Sequence, residues 1–413
     1  MTAPKLRFKE FDGSWEKNSI QYFMDKKYIL DQMDGNHGEL YPKSEAFSID
    51  GIPYVSATDF SSGEVDFNSC KRLPLPRAKL FKKGIAKNGD VLFAHNATVG
   101  PVTILKTDLD FVILSTTATY YRCDDNYLQN IFLKNYFESE YFIQQYFGIM
   151  SQSTRNQVPI TTQRKLFISI PQIEEQTKIA SFLSAVDEKI TQLTQKHQLL
   201  SQYKQGMIQK LFSLKIRFKA DDGSEFDEWK SIQLKDFLTF TPRPVDKPEI
   251  AYHALGVRSH FKGLFNKYDS EPQKISMDTL YTVEKDDVVV NITFAWEGAM
   301  AIAKDEHNQG LVSHRFPTYK CNESKVNLIF FNYRFIQKDF LSHLQLCSPG
   351  GAGRNRVLNK QSFLEISFEK PCVQEQTKIA NFLSAIDQKI EVTEQQIEQA
   401  KQWKKGLLQQ MFV

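Results

Sequence analysis

No stretch of the chain approaches the roughly 18 consecutive apolar residues that a membrane-spanning helix requires. Its opening, Met-Thr-Ala-Pro-Lys-Leu-Arg-Phe-Lys-Glu, lacks the apolar segment of a secretory signal. Cysteine is scarce and unpaired. Cys70, Cys123, Cys321, Cys347 and Cys372 are odd in number and form no CxxC, which argues against a disulfide framework and for reduced thiols in a cytosol. An excess of charge of one sign is missing too: Lys+Arg 52 against Asp+Glu 49 leaves a formal net charge of +3, so a polyanion must be met by local patches. Catalytic signatures are absent. No GxGxxG follows an expected strand, the glycines at 350, 351 and 353 lack the Gly-Lys-Ser/Thr ending of a phosphate-binding loop, and no HExxH, GxSxG, paired-cysteine zinc motif or lysine-backed carboxylate pair occurs. These absences lead to the expectation of a soluble, cytoplasmic protein that recognises without catalysing and holds neither metal nor cofactor.

What is present is a repeat. Pro171-Gln-Ile-Glu-Glu-Gln-Thr-Lys-Ile-Ala-Ser-Phe-Leu-Ser-Ala-Val-Asp-Glu-Lys-Ile190 returns as Pro371-Cys-Val-Gln-Glu-Gln-Thr-Lys-Ile-Ala-Asn-Phe-Leu-Ser-Ala-Ile-Asp-Gln-Lys-Ile390, with 14 of 20 positions identical. The register holds without a gap to Phe212 and Phe412. Each half also opens alike, with Arg7-Phe-Lys9 before Trp15 and Arg217-Phe-Lys219 before Trp229. A period of this size is a domain duplication, since solenoid repeats run about 20 to 50 residues. With 41% hydrophobic residues over 413 positions there is apolar material for two to four domains.

After each proline the apolar spacing alternates four and three, as in a coiled-coil seam. The first copy reads Ile179, Leu183, Val186, Ile190, Leu193, Leu200 and Met207; the second reads Ile379, Leu383, Ile386, Ile390, Ile397 and Leu407. At about 1.5 Å per residue, such helices are rods of about 60 Å. An antiparallel pair places the flanking domains at opposite ends. His197, Lys204 and Lys404 interrupt the seam and read as a register-setting polar layer or as side chains reaching out to water, not as ligands.

The intervening regions mix short β-like runs (53–57, 90–94, 102–105, 117–121, 287–291, 299–303) with one helix each, 128–147 and 328–346. After each helix comes a turn-rich loop centred on Arg-Asn: Arg155-Asn156, and Arg354-Asn355-Arg356. Between Phe67 and Gly89 there is no acid, yet Lys71, Arg72, Arg77, Lys79, Lys82, Lys83 and Lys87 all fall there, a candidate phosphate-contacting ribbon whose alternative is a solvated surface. Arg258, His260, Lys262 and Lys267 form a weaker cluster in the second half. Candidate base contacts are the Arg-Asn loops with His95-Asn96 and His314-Arg315. Arginine pairs bidentately with guanine and asparagine with adenine, although either also binds phosphate or caps a turn. Trp296 is a wedge or a core residue. Asp90 and Asp287, each leading a strand, read as turn residues.

Two unlike domains, each followed by Pro-x-x-x-Glu-Gln-x-x-Ile-Ala-x-x-Leu-x-x-x-Asp-x-x-Ile, resemble the specificity subunit of Type I restriction-modification systems along the whole chain. The resemblance implies an α+β architecture: two α/β target recognition domains in pseudo-twofold arrangement (1–170 and 213–370), separated by a pair of long antiparallel coiled-coil helices (171–212 and 371–413). It implies that each domain reads one half of a bipartite site in double-stranded DNA and that the helices set the spacer. It further implies that two modification subunits dock on the helices, with the outward Lys178, Lys189, Lys378 and Lys389 as candidates, and that restriction subunits join them. S-adenosylmethionine, ATP and Mg²⁺ are then expected on those partners. The alternatives from the residues alone are a coiled-coil scaffold presenting two protein-binding domains, or a nuclease or methyltransferase acting alone.

Overall fold

The computed structural model describes residues 3–36, 38, 40–61, 63–151, 156–350 and 356–413. The chain divides into two compact units, residues 1–196 with 393–413, and residues 197–392. The helices Ile173–Phe212 and Val373–Met411, 40 and 39 residues long, each contribute one segment to either unit.

In the first unit a four-stranded antiparallel sheet runs Ile29–Asp34, Ala118–Cys123, Val91–Asn96, Thr98–Ile104. A second sheet runs Lys71–Leu73, Ile52–Val55, Val112–Leu114, Ile85–Ala86, with its two middle strands parallel. Side chains alternate between the faces of a strand. Val91, Phe93 and Tyr121 therefore pack against helices, while Leu92, Ala94 and Tyr120 pack with Val55, Val112 and Leu114 of the second sheet. The second unit repeats this plan. Val288 and Val290 face the helices and Val289 faces Leu255, Val257 and Val312. Its second sheet has five strands, the extra one being Pro244–Asp246 at an edge.

The expected single helices over 128–147 and 328–346 are each two. Asn130–Phe137 is followed by Glu140–Met150, and Leu328–Phe335 by Lys338–Leu346. Ser139 and Gln337 are extended at the breaks, where each is the N-cap of the following helix, and the Ser139 hydroxyl donates to Tyr136 O at 2.6 Å.

The repeated Glu-Gln clasps each long helix to its domain. In the first unit the Arg7 guanidinium donates to both Glu175 carboxylate oxygens at 2.7 Å. The Gln176 side chain accepts from the Gln129 N–H at 3.0 Å and donates to Pro171 O and Tyr127 O, both at 2.9 Å. The second unit repeats it with Arg217 on Glu375 at 3.2 and 2.7 Å, and Gln376 accepting from the Asn327 N–H at 2.8 Å.

The seam residues line the buried side of the helices. Ile179, Leu183 and Val186 share the first unit's core with Leu407, Met411 and Phe412, and Phe412 meets Trp15 and Tyr136 edge-on. The first turns of one helix and the last turns of the other end on the same domain, so these segments run in opposite directions. Ile379, Leu383 and Ile386 join the second unit's core with Leu211, while Ile190, Leu200, Met207, Ile390 and Ile397 are half-buried and Leu193 is buried.

Candidate nucleic-acid interface

In the first unit three segments distant in sequence converge at one end of the central sheet. The His95 N–H donates to Thr117 O at 3.0 Å, the Val158 N–H to His95 O at 2.8 Å and the Ala97 N–H to Asn156 O at 3.1 Å. Asn96 pairs with Gln157 in an antiparallel bridge. The structure thus brings together two of the segments singled out by sequence, 95–96 and the return of the first Arg-Asn loop. Asn156 is exposed and Asn96 half-buried. His95 is only 4% exposed, and its Nδ1 lies 2.9 Å from Thr119 Oγ1, so this ring is an internal group and not a presented base reader. Arg155 lies outside the described residues.

The basic ribbon occupies the edge strand Lys71–Leu73, the helical turn Leu75–Ala78 and the chain beyond. Its members divide by role. Lys71, Lys79, Lys82, Lys83 and Lys87 are exposed, and among the described residues none has a carboxylate within ion-pair distance. The Lys71 ammonium sits 4.9 Å from the Phe47 ring centre. Arg72 instead donates to Gly51 O at 3.2 Å and Phe67 O at 3.1 Å, while Arg77 is half-buried. The lysines are available to an anion, whereas Arg72 is committed to its own hairpin.

The second unit makes the same convergence with different residues. The Ile292 N–H donates to Arg315 O at 3.0 Å and the Leu358 N–H to Ile292 O at 2.8 Å, so Ile292 takes the place of His95 and Arg315 that of Thr117. The hairpin tip carrying Arg258, His260 and Lys262 docks on the next turn: the His260 N–H donates to Glu297 O at 2.7 Å, the Phe261 N–H to Gly298 O at 2.8 Å, and the Ser259 hydroxyl to the Glu297 carboxylate at 2.7 Å. Gly298 has φ +78°, and a Cβ there would lie 2.8 Å from the Phe261 ring, so both the turn and the close approach require glycine. Trp296, half-buried, donates its indole N–H to Thr293 O at 3.2 Å and carries the Arg356 guanidinium 5.3 Å from its ring centre. Arg258, His260, Lys262, His314 and Arg315 are exposed. Arg354 and Asn355 lie outside the described residues. The Arg258 guanidinium and the Lys267 ammonium both lie near the Phe265 ring, at 5.1 and 5.2 Å.

The lysines that interrupt the seam are held by acids. Lys404 Nζ lies 2.9 Å from Glu138 and 2.7 Å from Asp187, and Lys134 binds the same two carboxylates at 2.9 and 3.3 Å. Burial pulls the Lys404 ammonium pKa down, but Glu138 and Asp187 outweigh it and hold it above the ordinary lysine value. In the second unit Lys204 binds Asp387, which also accepts from the Tyr333 hydroxyl at 2.6 Å. The aspartate of the repeated motif is thus the seam partner of the other helix's lysine, a polar layer of the kind that fixes register. Of the outward lysines, Lys178 pairs with Glu10 at 3.4 Å and Lys378 with Asp221, while Lys189 and Lys389 are exposed.

Asp90 and Asp287 are clasps. Each caps the turn before its strand, accepting from the Lys87 N–H at 2.7 Å and the Glu284 N–H at 2.9 Å, and each binds an arginine, Arg122 or Arg243, through both oxygens. Among the described residues no group of three or more His, Cys, Asp or Glu side chains could hold a metal ion. No described helix is long and apolar enough to cross a membrane.

Residues 32–202 and 227–402 each match the family model of the Type I restriction modification DNA specificity domain. Among similar proteins is the putative type I restriction enzyme MjaX specificity subunit of Methanocaldococcus jannaschii, 26% identical over 335 residues, covering 78% of this chain and 76% of that protein. The MjaVIII specificity subunit of the same organism is 25% identical over 292 residues, 63% of this chain and 65% of its own. The fold is similar to that of the type I S subunit from M. genitalium, with a TM-score of 0.57 at 15% identity over 100% of this chain and 99% of that one. It is also similar to the HsdS subunit of Thermoanaerobacter tengcongensis, with a TM-score of 0.51 at 14% identity and 97% of each chain covered.

Proposed function

The chain belongs to the Type I restriction modification DNA specificity domain family and carries that domain twice, and from this premise we propose that each copy reads one half of a bipartite site in double-stranded DNA. Its role is that of a type I specificity subunit, and a coiled-coil scaffold for two protein-binding domains is not favoured. One observation carries the half-site reading. Both units gather the same three segments and share two of the backbone hydrogen bonds that join them, those at His95 and at Ile292, yet present different side chains there: Asn96 and Asn156 in one, Arg315, Trp296 and Arg356 in the other. A duplicated frame with divergent ends is the arrangement that reading two unlike sequences needs.

The exposed lysines of the 71–87 segment supply phosphate contacts that position the first domain without specifying bases. We assign the spacer between half-sites to the two long helices, whose register the Lys404–Asp187 and Lys204–Asp387 pairs hold. Partner modification subunits dock on the helices, restriction subunits join them, and S-adenosylmethionine, ATP and Mg²⁺ belong to those partners in the cytoplasm. This chain itself turns over nothing. The test is selection from random duplexes by the complex reconstituted with its modification subunits, followed by sequencing. A bipartite motif is expected, and enrichment of none overturns the proposal. Inserting whole helical turns between Leu193 and Leu200 should lengthen or abolish the permitted spacer and leave both half-sites unaltered.

A further inference from the structure

Beneath the converging segments of the first unit lies a chain of polar side chains, buried except for the half-buried Arg164 at its start. The Arg164 guanidinium donates to Gln32 Oε1 at 2.9 Å, and the Gln32 amide donates to Gln163 Oε1 at 3.2 Å. The same Gln163 oxygen accepts from the Tyr121 hydroxyl at 2.6 Å. The Gln163 amide donates to Thr119 Oγ1 at 3.1 Å and to Val158 O at 2.7 Å, and Thr119 Oγ1 lies 2.9 Å from His95 Nδ1. Gln163 and Thr119 are wholly buried and Gln32 is 1% exposed. Every polar atom of the Gln163 side chain is engaged, which is the condition under which a buried network rigidifies its surroundings.

The second unit provides the comparison. By strand pairing Gln32 corresponds to Phe240, Tyr121 to Tyr319 and His95 to Ile292, and by the turns that follow Gln163 corresponds to Phe363 and Arg164 to Leu364. Pro317 stands in place of Thr119. The same fold closes there on apolar packing, with Phe363 buried and the Tyr319 hydroxyl without a hydrogen-bond partner. A network present in one copy and replaced in the other at every member but the tyrosine is not required by the fold. What it touches is the pair of segments whose ends carry Asn96 and Asn156: Gln163 grips Val158, and His95, at its far end, is bonded to Val158 and Thr117 through its own backbone.

We propose that Gln163 is a positioning residue for the first half-site: through Thr119 and Val158 it fixes the strand end at 95–97 and the returning segment 156–158 in the geometry from which Asn96 and Asn156 meet DNA. This deepens the reading that each domain contacts one half-site and rests on it. A buried side-chain amide suits the task because it bonds to backbone and side chain at once, at set angles, whereas phenylalanine fixes only volume.

The experiment is duplex selection by the reconstituted complex carrying Gln163→Leu, with Thr119→Val as a second variant that removes only the link between Gln163 and His95. Thermal melting of each complex is recorded alongside. Discrimination at the first half-site should fall about ten-fold in Gln163→Leu, the scale of one misplaced base contact, and by less in Thr119→Val. The half-site read by the second domain should be unchanged. Should Gln163→Leu not fold, Thr119→Val carries the test. Unchanged first-half preferences in a folded variant, or equal relaxation of both halves, overturn the proposal. A wild-type complex that selects no bipartite motif overturns the parent reading instead, so the two failures are distinct.

Discussion

Between the central sheet and the turn that follows the loop, the first unit places glutamine, threonine and histidine where the second places phenylalanine, proline and isoleucine. At the roots of the long helices the two units agree residue for residue: Arg7 and Arg217 on Glu175 and Glu375, and Gln176 and Gln376 on the prolines that open each helix. The contrast separates two kinds of polar group. Those in the clasp are repeated because each joins helix to domain identically, while those under the converging segments differ because only local geometry depends on them. Identity between copies therefore marks the frame, and difference marks what the frame presents.

The clasp yields the largest expected effect. Arg217→Ala strips the partner from Glu375, whose side chain is 0% exposed, and leaving such a charge unpaired costs about 3 to 5 kcal/mol. Arg7→Ala should cost a similar amount in the first unit, where Glu175 is 2% exposed. Hydrogen exchange resolved by peptide reads each unit separately: protection should fall only in the unit that carries the change. A cost in one unit and none in the other would break the equivalence of the two clasps.

The seam lysines should differ, because their surroundings do. Lys404→Met leaves Glu138 and Asp187 sharing Lys134 alone, and with both carboxylates partly open to water we expect a loss of about 1 to 2 kcal/mol. Lys204→Met leaves Asp387 its Tyr333 hydroxyl and should cost below about 1 kcal/mol. Denaturant midpoints of the two variants check the order, and its reversal would show that the four-charge cluster is not the tighter lock.

Much of the frame is legible in sequence because it is periodic. The four-three seam from Ile179 to Met207 follows from spacing, and the strand cores around Val91–Asn96 and Val288–Val290 show as short runs of strand-forming residues. The hairpin Tyr252–Val257 with Leu264–Ser270 does not. Its second strand lies at a sheet edge and carries Asn266, Lys267 and Asp269, so it lacks an apolar alternation, and the other neighbour of its first strand, Gly310–Val312, comes much later along the chain. The helix breaks at Ser139 and Gln337 escape the sequence pattern because apolar residues continue across them. The converging segments are visible in sequence only as separate polar stretches, since what joins His95 to Val158 is a backbone hydrogen bond that leaves no mark in composition. Gln163 carries no signal at all, for a glutamine in a short helical turn reads as surface.

The basic ribbon offers a smaller test of the division between presenting and positioning. Replacing Lys79, Lys82 and Lys83 by glutamine should leave both half-site preferences intact and weaken the dependence of log affinity on log salt by about 0.9 for each phosphate no longer neutralised. Titration of the complex against its selected duplex over a salt series measures the slope. An unchanged slope would make these lysines a solvated surface, and altered base preference would move them from phosphate to base contact.

The thiols give the smallest effect and the cleanest view of the frame. Cys123 and Cys321 occupy the same place in the two central sheets, opposite Ile29 and Leu238. Burial pushes both thiols up, Cys321 to about 12, and Cys70 likewise to about 12, so at pH 8 almost none of either is the reactive thiolate. Burial raises the Cys347 thiol as well. Cys372 alone is exposed, at the root of the second long helix, where the first copy has Gln172. A colorimetric thiol reagent at pH 8 should therefore titrate one fast equivalent in the native protein, abolished by Cys372→Ser, with the other four appearing only on unfolding. A second fast equivalent from either member of the Cys123 and Cys321 pair would mean that one of the two central sheets opens far more readily than the other, and the frame would then be less alike in the two copies than its hydrogen bonds indicate.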